Sequence, residues 1–474
     1  MANGGKAHQV LPPRSLAVAA FSTIVEWYDF TLYLYFATVL ARVFYGGGAN
    51  SLLLTLGGFA IAYLMRPLGA LFFSHIGDRR GRRHMMLMSV AMMTAAMLVT
   101  ALLPTRAAIG PAAGWLLLLL RCIMGFSVGG EYTGVVAYLL EGAPPGRRGL
   151  ITSSASAASE VGALLAVGIA ALTVSWTSMA DLDSWGWRIP FFVGAALAGS
   201  VWIARSTMHE SPEFLRQQEE GSVPAKPLAY ALKHHRAGIA RGFAISALGS
   251  ITYYVGITYV PAFLTSAGAL SEGSALWLST IAAVAVILVT PLVGWWSDRA
   301  GRRPVLLALC AGSAVLPMTM FALMASGSQG RALFGAVMLA GVAGGVSAVG
   351  AVATAEQFHG EARITGLALG ATMATAIFGG LTPWVAQLLV ERTGWSMAPG
   401  AMIALVALCV LPVFVAMRET APLRKSIASP LVGEVGEGPA ASAAEENPLS
   451  ASSARADDAP PPNPPHEGEG YQQL

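Results

Sequence analysis

The feature that most constrains this chain is a series of twelve long apolar runs separated by mostly short polar loops. They fall at roughly 15–40, 52–74, 85–103, 112–140, 150–174, 188–204, 239–264, 274–296, 305–325, 331–355, 366–390 and 396–417. A helix needs about 20 predominantly apolar residues to cross a bilayer, whereas a barrel strand needs only about 9–11. Within hydrocarbon the backbone must satisfy its own hydrogen bonds, which a helix does inside one segment. The runs therefore predict an all-α membrane protein with twelve transmembrane helices. Composition agrees: 55% of the residues are hydrophobic and 12% charged, against about 25% charged in a soluble domain.

Two loops carry the same basic signature. Gly77-Asp78-Arg79-Arg80-Gly81-Arg82-Arg83 follows the second run, and Ser297-Asp298-Arg299-Ala300-Gly301-Arg302-Arg303 follows the eighth, 220 positions later. A second pair repeats at nearly the same offset. Glu141 and Arg148 flank the loop after the fourth run, Glu356 and Arg363 the loop after the tenth, with equal spacing. Independent matches at one period indicate duplication. Parallel six-span repeats related by an axis along the membrane normal are a transporter architecture. The expected organisation is a six-helix half over 1–204, a central cytoplasmic loop over 205–238, a second half over 239–420 and a tail over 421–474. The tail is rich in Pro, Ala, Ser, Gly and Glu. It buries too little apolar surface to fold and is expected to be disordered.

Basic residues set the orientation. With the N-terminus inside, 21 Lys and Arg fall on the cytoplasmic side and 5 on the other, so both termini are expected in the cytoplasm. The first run contains Glu26 and Asp29, and no small-residue cleavage pattern follows it; it is expected to be a retained span rather than a signal peptide. Cys122, Cys310 and Cys409 all fall within spans, and the eight His show no metal-ligand spacing. Neither a disulfide framework, a metal site nor an enzyme nucleophile is expected. The net charge of +3 reflects orientation rather than nucleic-acid binding.

Ionisable residues inside spans cost about 2.5–3.5 kcal/mol each at the bilayer centre and point to function. Glu26 and Asp29 lie three residues apart on the first span and share a face. Arg66 lies in the second span, Arg121 and Glu131 in the fourth, and Glu160 in the fifth. Depth pairs Asp29 with Arg121 and Glu131 with Arg66, leaving Glu26 and Glu160 near the midplane without a cation. Four acids against two arginines leave a surplus of carboxylate in a low-dielectric place, which is what proton coupling needs. Glu26, Asp29, Arg121, Glu131 and Glu160 are therefore the proton-coupling candidates. The second half has no ionisable residue deep in a span. It offers Tyr253, Tyr254, Thr258, Tyr259, Trp384 and Gln387, whose rings equally fit packing or an interfacial belt. The substrate-contact candidates are Tyr28, Arg66, Arg121, Tyr132, Tyr253, Tyr254 and Gln387.

The paired loop motifs suggest a latch. A carboxylate at a helix end can hold an arginine of a neighbouring span in one conformation and release it in another, biasing a two-state equilibrium. The latch candidates are Asp78, Arg82, Glu141, Arg148, Asp298, Arg302, Glu356 and Arg363; simple positive-inside anchoring is the plainer account. Glycines four apart, at Gly125/Gly129, Gly130/Gly134, Gly341/Gly345 and Gly366/Gly370, let helices approach closely. Pro261, Pro291 and Pro383 are candidate kinks.

Together, Glu26-Trp27-Tyr28-Asp29-Phe30, Arg121 with Gly125-Phe126-Ser127 and Gly129-Gly130-Glu131-Tyr132, Trp185-Gly186-Trp187-Arg188-Ile189-Pro190-Phe191 and Glu210-Ser211-Pro212 resemble the metabolite:proton symporters of the major facilitator superfamily. The resemblance covers about residues 15–420. It implies a twelve-helix alternating-access fold in two pseudo-symmetric halves. The family's loop signature is complete from Gly294, while Ser74 replaces its leading glycine in the first copy. Glu160 matches no family position, and the regulatory coiled coil of some osmosensing members is missing. The resemblance implies a proton-coupled symporter for a small carboxylate-bearing solute: a di- or tricarboxylate such as α-ketoglutarate or citrate, or a zwitterion such as proline or betaine. It implies a bacterial inner-membrane location, a proton gradient in place of any cofactor, the substrate, protons and bilayer as partners, and a monomeric unit. A proton-coupled exporter of the same fold would carry a Gly-Pro motif in the fifth span, which is absent here. A non-transporting membrane sensor would need a signalling module that the tail does not contain.

Overall fold

The computed structural model describes residues 13–80, 82–129, 145–206, 233, 235–267, 269–358 and 368–421. Over these residues each apolar run forms helix. The first half contains α1 (Pro13–Tyr35), α2 (Ala37–Tyr45), α3 (Ser51–Arg80), α4 (Arg82–Leu102), α5 (Ala112–Ser127), α6 (Arg148–Trp176) and α7 (Arg188–Ser206). The second contains α8 (Arg236–Tyr253), α9 (Val260–Ser266), α10 (Glu272–Ala300), α11 (Arg302–Met324), α12 (Gln329–Ala355), α13 (Thr382–Thr393) and α14 (Ala398–Ala416). Among the described residues eight helices are long and apolar enough to cross a membrane, nine if the bent pair α8–α9 is one span. The runs at 85–103 and 112–140 appear as shorter apolar helices, Leu87–Leu102 and Ala112–Ser127. The tail and most of the central loop lie outside the described residues.

Outward faces are apolar as well as inward ones. Leu68, Leu71, Ile281, Leu288 and Leu292 are all about half exposed or more. Rows of exposed leucine are a liability in water and the expected surface in lipid.

The proline expectations divide. At Pro261 the helix bends by 44° where a wider π-helical turn, Tyr254–Thr258, passes into α9. Pro383 begins α13 after another such turn, Ala376–Leu381. Pro291, by contrast, lies within the continuous α10. A proline need not break a helix when packing supplies the geometry around the lost hydrogen bond.

Glycine sets the helix spacing. A Cβ at Gly125 would meet the backbone of Ala62, its carbonyl carbon at 2.9 Å, and one at Gly129 would meet the Arg66 carbonyl. α3 and α5 thus touch backbone to backbone, as small-residue faces allow. Gly345 packs against Leu309, but Gly341 faces open space, so it is not part of a contact face. Gly125→Val should force the helices apart and destabilise by about 1–3 kcal/mol or more, whereas Gly341→Val should be silent. Thermal unfolding of the two variants in detergent checks this; equal melting points would refute the packing account.

Gly301 turns the chain between α10 and α11 with φ +97°, a conformation that L-residues disfavour. This explains the glycine in the repeated loop motif.

Candidate functional site

α1 presents two carboxylates to two different helices. Asp29, fully buried, takes the Arg121 guanidinium of α5 at 3.2 Å. Arg121 also donates to Thr100 Oγ1 of α4 at 3.2 Å, and its charge lies within 6 Å of the Tyr33 and Phe191 rings. The Asp29–Arg121 pair expected from depth is therefore present.

The expectation that Glu26 lacks a cation is corrected. Arg66 of α3 pairs with Glu26 at 3.6 Å, so Glu26 does have a cation. Glu131, the partner inferred from depth, lies outside the described residues. Depth counting missed this because it does not say which helices meet: α1 presents Glu26 to Arg66 of α3 and Asp29 to Arg121 of α5. The Arg66 guanidinium lies 3.8 Å from the Phe30 ring centroid and 4.6 Å from that of Tyr63, where ring quadrupoles favour a cation.

Between the halves lies a cavity with about 1060 Å³ of space, counting its open mouth. Its walls include Trp27, Arg66, Glu160, Tyr253, Tyr254 and Thr354. The Trp27 and Tyr253 rings meet edge to face at 5.2 Å, as do Tyr253 and Tyr254. Glu160 is 1% exposed, has no salt-bridge partner among the described residues, and its Oε2 accepts no hydrogen bond. It lies within electrostatic reach of Tyr35 and Tyr253.

Contacts between the halves lie at both ends of the bundle. At the end carrying the basic motif, Asp298 accepts from the backbone N–H groups of Gly149 and Leu150 at 2.8 and 2.9 Å. These are amides of the first turn of α6, which have no partner inside the helix and form the positive end of its dipole. Gly149 and Gly294 face each other there, and a Cβ on Gly149 would lie 2.7 Å from the Gly294 carbonyl. Asp298 also pairs with Arg302 at 2.8 Å. Arg302, wholly buried, reaches Glu356 at 3.3 Å and donates to Ser297 Oγ. Glu419 accepts from the Arg302 and Arg303 amides. At the far end, Arg42 of α2 bridges Asp183 at 3.2 Å and Glu272 at 3.1 Å, and Thr38 bonds Glu272; beside the cavity, the hydroxyls of Tyr63 and Tyr254 pair.

The structure thus brings Arg66, Glu160, Tyr253 and Tyr254 to the cavity, and Asp298, Arg302 and Glu356 into one cluster. Other candidates sit elsewhere. The Tyr28 hydroxyl donates to the Pro190 carbonyl at 2.7 Å, fixing α1 to α7 away from the cavity wall. Gln387 accepts from Tyr259 at 2.7 Å and donates to Glu391 at 2.8 Å, so its amide is already committed. Arg148 opens α6 but makes no ion pair with the cluster. Tyr132, Glu141 and Arg363, and the side chains of Asp78 and Arg82, lie outside the described residues. The far-end bridge and Glu419 were missed. Arg42 and Glu272 lie 230 positions apart with no shared motif, and their only sequence signal is a charge at the end of an apolar run.

Residues 16–235 match the family described as sugar (and other) transporter, and residues 247–451 the major facilitator superfamily. The ectoine/proline transporter of Corynebacterium glutamicum is 32% identical over 83% of this chain and 82% of its own length. The α-ketoglutarate permease of Escherichia coli is 34% identical over 78% of this chain and 86% of its own. The citrate-proton symporter of Salmonella typhi is 33% identical over 82% and 89%. Among solved structures, the partially occluded, inward-open xylose transporter of E. coli superposes with a TM-score of 0.67. It is 20% identical over 85% of this chain and 99% of that one, a likeness of fold.

Proposed function

Because the chain belongs to the major facilitator superfamily of membrane transporters, we propose that it is a proton-coupled symporter importing a small carboxylate-bearing metabolite by alternating access. The observation that carries this reading is the buried Asp29–Arg121 pair, set in the same half as the arginine of a central cavity. A permanent ion pair at this depth is expensive, and its desolvation is seldom repaid by stability alone. A pair that opens when Asp29 takes a proton gives Arg121 two states, and two states are what coupling requires.

In the proposed cycle, a proton enters the cluster of Glu26, Asp29 and Glu131, and Arg66 meets the substrate carboxylate. The halves then rock, releasing in turn the contacts of Asp298 at one end and those of Arg42 at the other, both of which are closed here. The basic-motif end is the cytoplasmic one, the location is the bacterial inner membrane, and a single copy is the working unit. The relatives' printed substrates support a carboxylate: proline, ectoine, betaine, α-ketoglutarate and citrate all carry one.

Proteoliposomes test this. With a pH gradient, inside alkaline, at least one of citrate, α-ketoglutarate, L-proline and glycine betaine should accumulate, and a protonophore should abolish the accumulation. Uptake indifferent to the gradient, or uptake of none of the four, would refute the reading.

A further inference from the structure

Glu160 is the buried carboxylate that the ion-pair scheme does not use. Asp29 has Arg121 and Glu26 has Arg66, but Glu160 has no cation among the described residues. It lines the cavity beside Ser159, with Trp27 and Tyr253 on the neighbouring walls. α6 brings it there by close packing on α1, since a Cβ at Gly162 would lie 3.1 Å from the Tyr28 nitrogen. The hydroxyl of Tyr253 likewise has no hydrogen-bond partner. A carboxylate near aromatic rings in a desolvated cavity is an environment for a cationic nitrogen.

The rest of the cavity supplies the complement. Arg66 lines the same space, and its Nε has no hydrogen-bond partner, leaving an edge for an incoming carboxylate. The charge balance then discriminates between solutes. Arg66 is already offset by Glu26, so the carboxyl left at the cavity wall without a countercharge among the described residues is Glu160. A di- or tricarboxylate would bring further negative charge against it in a low-dielectric space, which is costly. A solute with one carboxylate and one cationic nitrogen would neutralise both ends.

We infer that Glu160, with Trp27 and Tyr253, forms a subsite for the cationic nitrogen of a zwitterionic substrate whose carboxylate meets Arg66. This rests on the symporter reading above and narrows its substrate class.

The test compares two probes of one shape on the purified full-length protein: glycine betaine, and 3,3-dimethylbutanoate, in which carbon replaces the charged nitrogen. Affinities are read by ligand-induced thermal shift or calorimetry at fixed pH. The wild type should prefer betaine by about tenfold or more. Glu160→Gln should bring the two probes to nearly equal affinity by weakening betaine alone, while Glu160→Asp, which keeps the charge, should retain the preference. Equal wild-type affinities for the two probes would overturn the subsite whether or not the glutamine variant folds. So would a Glu160→Gln variant with its preference intact, including one that instead loses pH-driven uptake and thereby marks Glu160 as a proton carrier. Binding of citrate with no binding of either probe would also overturn the subsite but leave the symporter reading standing. Gradient-driven uptake of none of the four solutes in the liposome assay would sink the symporter reading itself.

Discussion

Replacing Asp29 with Asn is expected to abolish pH-driven uptake while leaving substrate exchange at equal concentrations. The amide is close to the carboxylate in shape but cannot take up and release a proton. Net symport requires that step; exchange, which returns the carrier loaded in both directions, does not. The loss should be about a hundredfold or more in initial rate, the scale on which removing a positioned proton-carrying side chain is felt. Arg121→Ala should be at least as severe, since it leaves Asp29, which is 0% exposed, without its cation. The check is paired: uptake under a pH gradient, and counterflow with the gradient collapsed. Full gradient-driven uptake by Asp29→Asn would remove Asp29 from the coupling step. Equal loss of uptake and counterflow would make the pair structural.

The second large effect is expected at Asp298. Its carboxylate holds two amides of α6 and the Arg302 guanidinium at once, three charge-assisted interactions that an alanine cannot make. Hydrogen bonds to charged groups are worth about 1.5–3 kcal/mol each, so even one lost from a single conformation shifts a two-state balance by about tenfold to a hundredfold. Asp298→Ala should slow uptake at least tenfold by destabilising the conformation in which α6 and α10 meet at Gly149 and Gly294. A spin-label distance between these helices should broaden or lengthen in the variant. Arg302→Ala combined with Asp298→Ala should cost less than the sum of the two single losses, because the residues share one network. Unchanged uptake and an unchanged distance would leave the motif as a topological anchor, with no part in the conformational change.

The loop motif shows how much of such a site is legible in a sequence. Its repetition singled out Asp298 and Arg302, which form an ion pair at 2.8 Å, and Gly301 as the turn. The leading Gly294 matched a family signature, but its cause appears only in the structure, where the backbone of α6 leaves no room for a side chain. The first-half cluster divides in the same way. Asp29–Arg121 could be read from depth because both residues lie near the middle of their apolar runs. Arg66 could not be assigned to Glu26, because the choice depends on which helices touch, and that is settled by Gly125 and Gly129 against α3. Gln387 and Tyr28 looked like substrate contacts by residue type, yet their hydrogen bonds are already spent within the protein.

What the sequence determined by itself is what is additive along the chain. Apolar length, the 220-residue repeat, the bias of basic residues and the costly charges within spans all follow from local solvation energies, which do not depend on the partner helix. What only the tertiary structure decided is which of those charges meet. Glu26 with Arg66, Asp298 with the amides of α6, Arg42 with Glu272, and Glu160 at the cavity wall with no cation among the described residues are outcomes of helix packing. That packing rests on a few glycines where an added Cβ would come within about 3 Å of a neighbouring backbone. Close contact falls off within a fraction of an ångström, so no pattern of residue types along the chain specifies it.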